Sequence, residues 1–245
     1  MHSQLLGTGK LSNGSGLVYL CESSFWHPFQ ARGTYPDALE HALRLAHKDF
    51  LAWKKLTGLD VSQPRFTPAR LSRKGRQNYA CMSCKAAPSK AVAFWVAKRS
   101  FELANREGAN EMDHLVATCL GTYAMSLELM DKAELIMSQF EAERFCELTL
   151  THLQTYAALN KRSRRLTGKS TGRNLWLIVP KHHHLFHCAL RVKEERINPK
   201  AAALFSGEDF VGRISRIARV CHRSTLSQRV LERYLALVHL ELARL

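Results

Sequence analysis

At 245 residues with 46% hydrophobic content, the chain can build one large domain or two small ones around a packed core, which excludes a disordered or fibrous protein. Its 36 Lys and Arg against 21 Asp and Glu leave a formal net charge of +15, so polyanions are the first partners to expect, although no basic run is long enough for a histone-like arm. RNA, DNA and an anionic membrane surface all qualify by charge; no window reaches the roughly 18 apolar residues of a membrane span, and the expected partner is nucleic acid rather than a membrane. The seven cysteines, odd in number and scattered through apolar patterns, read as reduced thiols of an intracellular protein, nuclear or cytoplasmic.

Residues 1–35 open rich in Gly and Ser with little periodicity, and the expectation is a loosely ordered N-terminal segment. From Pro36, apolar Leu39, Ala42, Leu43, Ala46, Phe50 and Trp53 recur at helical spacing between an Asp37 cap and a Gly58 stop, which predicts an amphipathic helix. An irregular basic connection follows, with Arg65, Arg70, Arg73, Lys74 and Arg76 among prolines, and it leads to Cys81 and Cys84. That lone CxxC supplies half a zinc site and has no partner pair at finger-like spacing, so the plainer reading is two ordinary thiols near a helix start.

Helical periodicity returns at 90–106, 111–130 and 131–159, the last read as capped by Asp131. These helices complete an expected bundle over 36–160. Residues 161–174, KRSRRLTGKSTGRN, combine six basic residues and two glycines without an acid, and predict an exposed basic loop. The C-terminal region 175–245 begins with LWLIV, which could form a short strand, and continues as PKHHHLFHCALRVKEE, a helix with Pro180 at its first position and a break at Asn198 and Pro199. Two further helices are expected, over 210–223 and after Ser224. The fold class is therefore mainly α, a multi-helix bundle with a C-terminal helical subdomain and at most one or two short strands.

Three patterns carry candidate chemistry. On a helix His183 and His187 share a face, and a carboxylate from Glu208 or Asp209 could complete a two-histidine, one-carboxylate set for a divalent metal such as zinc or magnesium. The HExxH motif of zinc peptidases is absent, because His184 stands where the catalytic glutamate belongs. The plainer alternative is a set of histidines that pack and hydrogen-bond at a helix start. Second, Arg213, Arg216, Arg219 and Arg223 fall within a third of the wheel of the 210–223 helix, opposite its apolar side, and predict a ridge that follows nucleic-acid phosphates. Lys161, Arg162, Arg164, Arg165, Lys169 and Arg173 of the basic loop would extend it, as would Lys181, Arg191, Arg229 and Arg233. The plainer alternative is a solvated face neutralised by Glu194, Glu195 or Glu232. Third, no GxSxG elbow, P-loop or GxGxxG is present, so serine nucleophiles and simple nucleotide enzymology find no support.

The run of Trp176, Pro180, Lys181, His183, His187, Asn198, Pro199, Glu208, Asp209, Phe210, Gly212, Arg233 and Tyr234 resembles the C-terminal block of a large protein family abundant in dinoflagellate genomes and inferred to derive from mobile elements. At a coarser level the order of a histidine-bearing helix, a break and a carboxylate-led helix is similar to the end of RNase H-like cut-and-paste transposases. That similarity implies a catalytic, metal-binding role for Glu208, but the two upstream acids and their strands have no counterpart here. The expectation is a mobile-element-derived basic helical protein that binds DNA or RNA without autonomous catalysis. The alternatives are a divalent-metal hydrolase or transposase remnant using His183, His187 and Glu208, and a helical scaffold for acidic protein partners.

Overall fold

The structure, a computed structural model, describes residues 7–29, 33–165, 174–202 and 214–243, with only the backbone for 164, 165, 202, 241 and 242. It is mainly α. The helices are α1 Gly9–Glu22, α2 Tyr35–Thr57, α3 Ala86–Ala104, α4 Glu111–Lys132, α5 Gln139–Arg165, α6 Pro180–Glu195 and α7 Leu226–Leu242, with short 3-10 turns at Pro199–Ala202 and Arg223–Thr225. Among the described residues no strand forms, and the segment containing LWLIV is extended without pairing; a single antiparallel bridge joins Ile136 to Ile197. The chain divides into two compact units, Met1–Ala201 and Ala202–Leu245.

The N-terminal segment, expected to be loose, supplies the centre of the first unit. Helix α1, GKLSNGSGLVYLCE, is buried on every side and packs against α2, α3 and α4. A helix buried all round shows no amphipathic period, and its small residues read as a flexible tail. Their size is what lets other backbone approach. A Cβ on Gly14 would lie 3.0 Å from the Met82 nitrogen and 3.1 Å from the Ala80 carbonyl carbon, and one on Gly16 would lie 2.7 Å from Leu120 Cδ1. Asn13 Nδ2 donates to the Ser89 carbonyl at 2.8 Å, the Trp176 N–H donates to Ser15 Oγ at 3.0 Å, and Tyr19 Oη donates to Asp113 Oδ1 at 2.8 Å. Gly14→Val, which drives two methyl groups into backbone that cannot rotate away, is expected to destabilise the unit by about 1–3 kcal/mol. A lowered urea midpoint at unchanged m would show it.

The periodic helix is where the sequence predicts it. All six apolar residues of α2 named above are buried, and Gly58 ends it in the left-handed region at φ +66°. Its cap is Thr34 rather than Asp37; Asp37 sits at the third helical position and accepts from the Thr34 backbone and hydroxyl in a capping box. The helix predicted over 131–159 is shifted. Helix α4 runs through Asp131 to Lys132, the chain breaks, and α5 starts after Ser138. Ser138 N–H donates to Glu141 Oε2 at 2.8 Å and Glu141 N–H to Ser138 Oγ at 3.2 Å. This S-x-x-E signature outcompetes Asp131, which pairs with Lys90 instead.

Two ionic networks, the first half-buried and the second fully buried, join elements distant in sequence. Asp49 of α2 accepts from Trp26 Nε1 at 3.2 Å, Trp95 Nε1 at 3.0 Å and the Nε and Nη2 of Arg99 at 2.6 and 2.7 Å, while the Trp95 ring stacks on both Trp26 and Phe66. Arg73, from the irregular basic connection, is fully buried against Glu22 at the end of α1. Its guanidinium donates to Glu22 Oε1, Tyr35 Oη and the carbonyls of Arg76, Asn78 and Asn174, and Tyr35 Oη donates to the same Glu22 oxygen at 2.6 Å. A cation of the irregular connection is thus the internal clasp between α1, α2 and the residues before α6.

Candidate functional site

The PKHHHLFH stretch begins α6 with Pro180 at its first position, where a missing N–H costs nothing. The helix then sorts the residues by face. His182 and Leu185 point inward, whereas His183, His184, Phe186 and His187 are exposed. His182 accepts from the Val179 N–H at 3.1 Å, and its ring centroid lies 4.5 Å from that of Tyr156. Burial holds its pKa below the ordinary imidazole value. It is a packing residue, as the plainer reading supposed. His183 and His187, one turn apart, meet at their tips, with Nε2 atoms 3.0 Å from each other and rings crossed at 87°. Phe186 borders the pair, its ring edge-on to His187 at 5.4 Å.

The third ligand read from the sequence, Glu208, lies outside the described residues, as does Asp209. Among the described residues no group of three or more His, Cys, Asp or Glu is placed to hold a metal. Asn198 serves the fold, its Nδ2 donating to the carbonyls of Met130, Ala133 and Glu134 at 2.9, 3.0 and 3.1 Å and so tying the end of α6 to the α4–α5 connection. Cys81 and Cys84 are half-buried free thiols on the extended approach to α3. Burial raises both pKa values, only partly offset for Cys81 by Lys10 and Lys181, so neither is an activated nucleophile.

The predicted basic loop begins as helix. Helix α5 continues to Arg165, which puts Lys161, Arg162, Arg164 and Arg165 on its last turns; Lys169 and Arg173 lie outside the described residues, as do the side chains of Arg164 and Arg165. Lys161 is exposed, but Arg162 is bound to Glu111 at the start of α4, which raises the pKa of the one and lowers that of the other. Arg191 reaches Glu195 at 3.8 Å and Arg229 reaches Glu232 at 3.2 Å, so these two flanking cations follow the neutralised alternative.

In the second unit the helix predicted over 210–223 is described only from 214 and ends at 218. The N–H groups of Val220 and Cys221 turn back to the carbonyls of Ile217 and Ala218, and His222 accepts from Ser224 N–H to open the next turn. A single helical stripe of arginines therefore does not form across 216–223, because the wheel loses its meaning where the helix stops. Arg213 lies outside the described residues. Arg216, Arg219 and Arg223 are all exposed and, among the described residues, none of them makes an ion pair with an acid. Arg216 and Arg233 flank an apolar groove of about 590 Å³ floored by Ile217, Val220, Ala236, Leu237 and Leu240.

Sequence reasoning missed two features of the first unit. One is a groove of about 660 Å³ at the start of α3, where Arg70 and Lys85 stand with Ser62, Ser83 and Asp60. The other is His152, fully buried on α5, with Nδ1 2.8 Å from the Cys119 carbonyl and its ring beside Tyr123 and Tyr156. Burial lowers its pKa to about 4, the effect of desolvation outweighing the carbonyl contact. No helix among the described residues is long and apolar enough to cross a membrane. No family model, curated protein or solved structure matches the chain.

Proposed function

We propose that the protein binds the sugar–phosphate backbone of nucleic acid through the arginines of its C-terminal unit. The supporting observation is that Arg216, Arg219 and Arg223 stand exposed without an acidic partner among the described residues, while Arg73, Arg99, Arg162, Arg191 and Arg229 are each held by a carboxylate. On a chain of net charge +15, free guanidiniums attract a polyanion from a distance and hold phosphate oxygens with paired N–H donors. Such contacts position a duplex or single strand without reading its bases. The resemblance read from the sequence alone over residues 175–240, to a family inferred to derive from mobile elements, would fit a role on DNA or RNA.

The test is a salt titration of binding to a labelled duplex and to a single-stranded RNA. The triple variant Arg216→Gln, Arg219→Gln, Arg223→Gln is expected to reduce the slope of log K against log salt by about 0.9 for each duplex phosphate that an arginine no longer neutralises, hence by roughly 2–3 in all. The pair Arg70→Gln, Lys85→Gln serves as control, since it removes comparable charge from the other unit. If the triple variant binds as the parent does, or the control weakens binding equally, the C-terminal arginines are not the site.

The apolar groove between Arg216 and Arg233 favours a second reading, in which the same unit receives an acidic amphipathic helix. Apolar side chains would fill the floor and carboxylates would face the two guanidiniums. Poor competition by nucleic acid for a bound acidic peptide would favour this reading over the first.

A further inference from the structure

We infer that His183 and His187 form a two-nitrogen chelate for a borderline divalent transition metal such as zinc, nickel or copper, independent of any carboxylate from the C-terminal unit and of the nucleic-acid reading. The inference rests on how the two rings converge. Imidazole nitrogens bound to one zinc at 2.0–2.1 Å are separated by roughly 2.9–3.4 Å, whether the ion is tetrahedral or has its ligands at right angles. The observed Nε2 to Nε2 distance is 3.0 Å, so the two donors already stand at the separation a chelated ion requires, and local rotations of the rings suffice to turn both lone pairs to it.

The rest of the helix supports the pair as a preformed clamp. Spacing of four residues puts both rings on one face, one turn apart. Leu185 and Ala189 bury the opposite face, which fixes the helix on the first unit. Both histidines are exposed, so an ion can reach them from solvent and water can fill its remaining positions. Without metal, one Nε2–H donates to the other Nε2. On metal binding the donor ring passes to its Nδ1–H tautomer, both Nε2 lone pairs turn to the ion, and no net proton is lost from the neutral pair. The donor set is nitrogen only. It therefore selects against magnesium, a hard ion held by oxygen, and separates this chelate from the three-carboxylate, two-metal arrangement of transposases.

Calorimetric titration of the tag-free, full-length chain with zinc chloride tests the inference. Saturable binding of one ion per chain is expected, weakened more than about tenfold in His183→Ala and in His187→Ala, since even outer-shell changes cost metal sites about 10–100-fold. His184→Ala and His41→Ala should leave it unchanged; the first is an exposed neighbour on α6, and the second breaks another histidine pair, His27 with His41, whose ring centroids are 5.4 Å apart. Copper(II) bound to the parent should show coupling to two imidazole nitrogens by electron spin resonance, and to one in either single variant. All the substituted side chains are exposed, so circular dichroism should not change. Zinc affinity retained in His183→Ala or His187→Ala, or lost equally in the controls, overturns the chelate and leaves a histidine–histidine hydrogen bond.

Discussion

Arg73→Met is expected to destabilise the first unit by about 3–5 kcal/mol, because it leaves the Glu22 carboxylate buried beside an apolar chain. The guanidinium and the carboxylate are 0% and 1% exposed, so solvent cannot replace the missing partner. The carbonyls of Arg76, Asn78 and Asn174 lose their donors at the same time, and the segment that leads into α6 loses its tie to α1. Urea denaturation followed by far-ultraviolet circular dichroism measures the loss. The double variant Arg73→Met, Glu22→Leu should recover part of it, since removing both charges is less harmful than isolating one. A double variant no more stable than the single one would show that the carbonyl ties outweigh the ion pair.

Acidification should weaken the fold before the surface carboxylates titrate. His152 has a folded pKa of about 4 against an ordinary value of 6.5, its ring fully buried beside Tyr123 of α4 and Tyr156 of α5. The unfolded chain therefore takes up a proton that the folded chain refuses. The sign follows: stability is complete above about pH 6.5 and declines as pH falls toward 4, by about 3 kcal/mol in total for a shift of this size. His182 is shifted in the same direction by the same cause and adds to the decline. His152→Asn, which keeps an N–H donor for the Cys119 carbonyl but has no titrating ring, should flatten the dependence of the urea midpoint on pH between 6.5 and 5. An unchanged pH dependence in that variant would assign the effect to other groups.

Helix α2 shows what makes an element legible in sequence. One face meets the core and one meets water, so burial writes a 3.6-residue period into the chain, and a left-handed glycine ends it. Helix α1 obeys the opposite rule. Every side of it is covered, so Ser12, Asn13, Gly14, Ser15 and Gly16 carry no period; Gly14 is small because the backbone of Ala80 to Met82 passes at contact distance, and Gly16 because the Leu120 and Val96 side chains do. The α4–α5 break was written locally as Ser138 and Glu141, but Asp131 offered a competing cap that the fold spends on Lys90.

The candidate sites divide in the same way. The spacing of His183 and His187 in sequence determined that they share a helix face, and the excess of Lys and Arg determined that a polyanion is a fit partner. Tertiary structure alone decided that His182 turns inward while the other two meet at 3.0 Å, and that Arg73 is a core residue whereas Arg216, Arg219 and Arg223 are free of acidic neighbours among the described residues. The physical reason is range. Periodicity and capping act over a few residues of one chain segment, whereas the state of a charged side chain depends on what the fold brings beside it, as Asn174 is brought to Arg73 from 101 residues away.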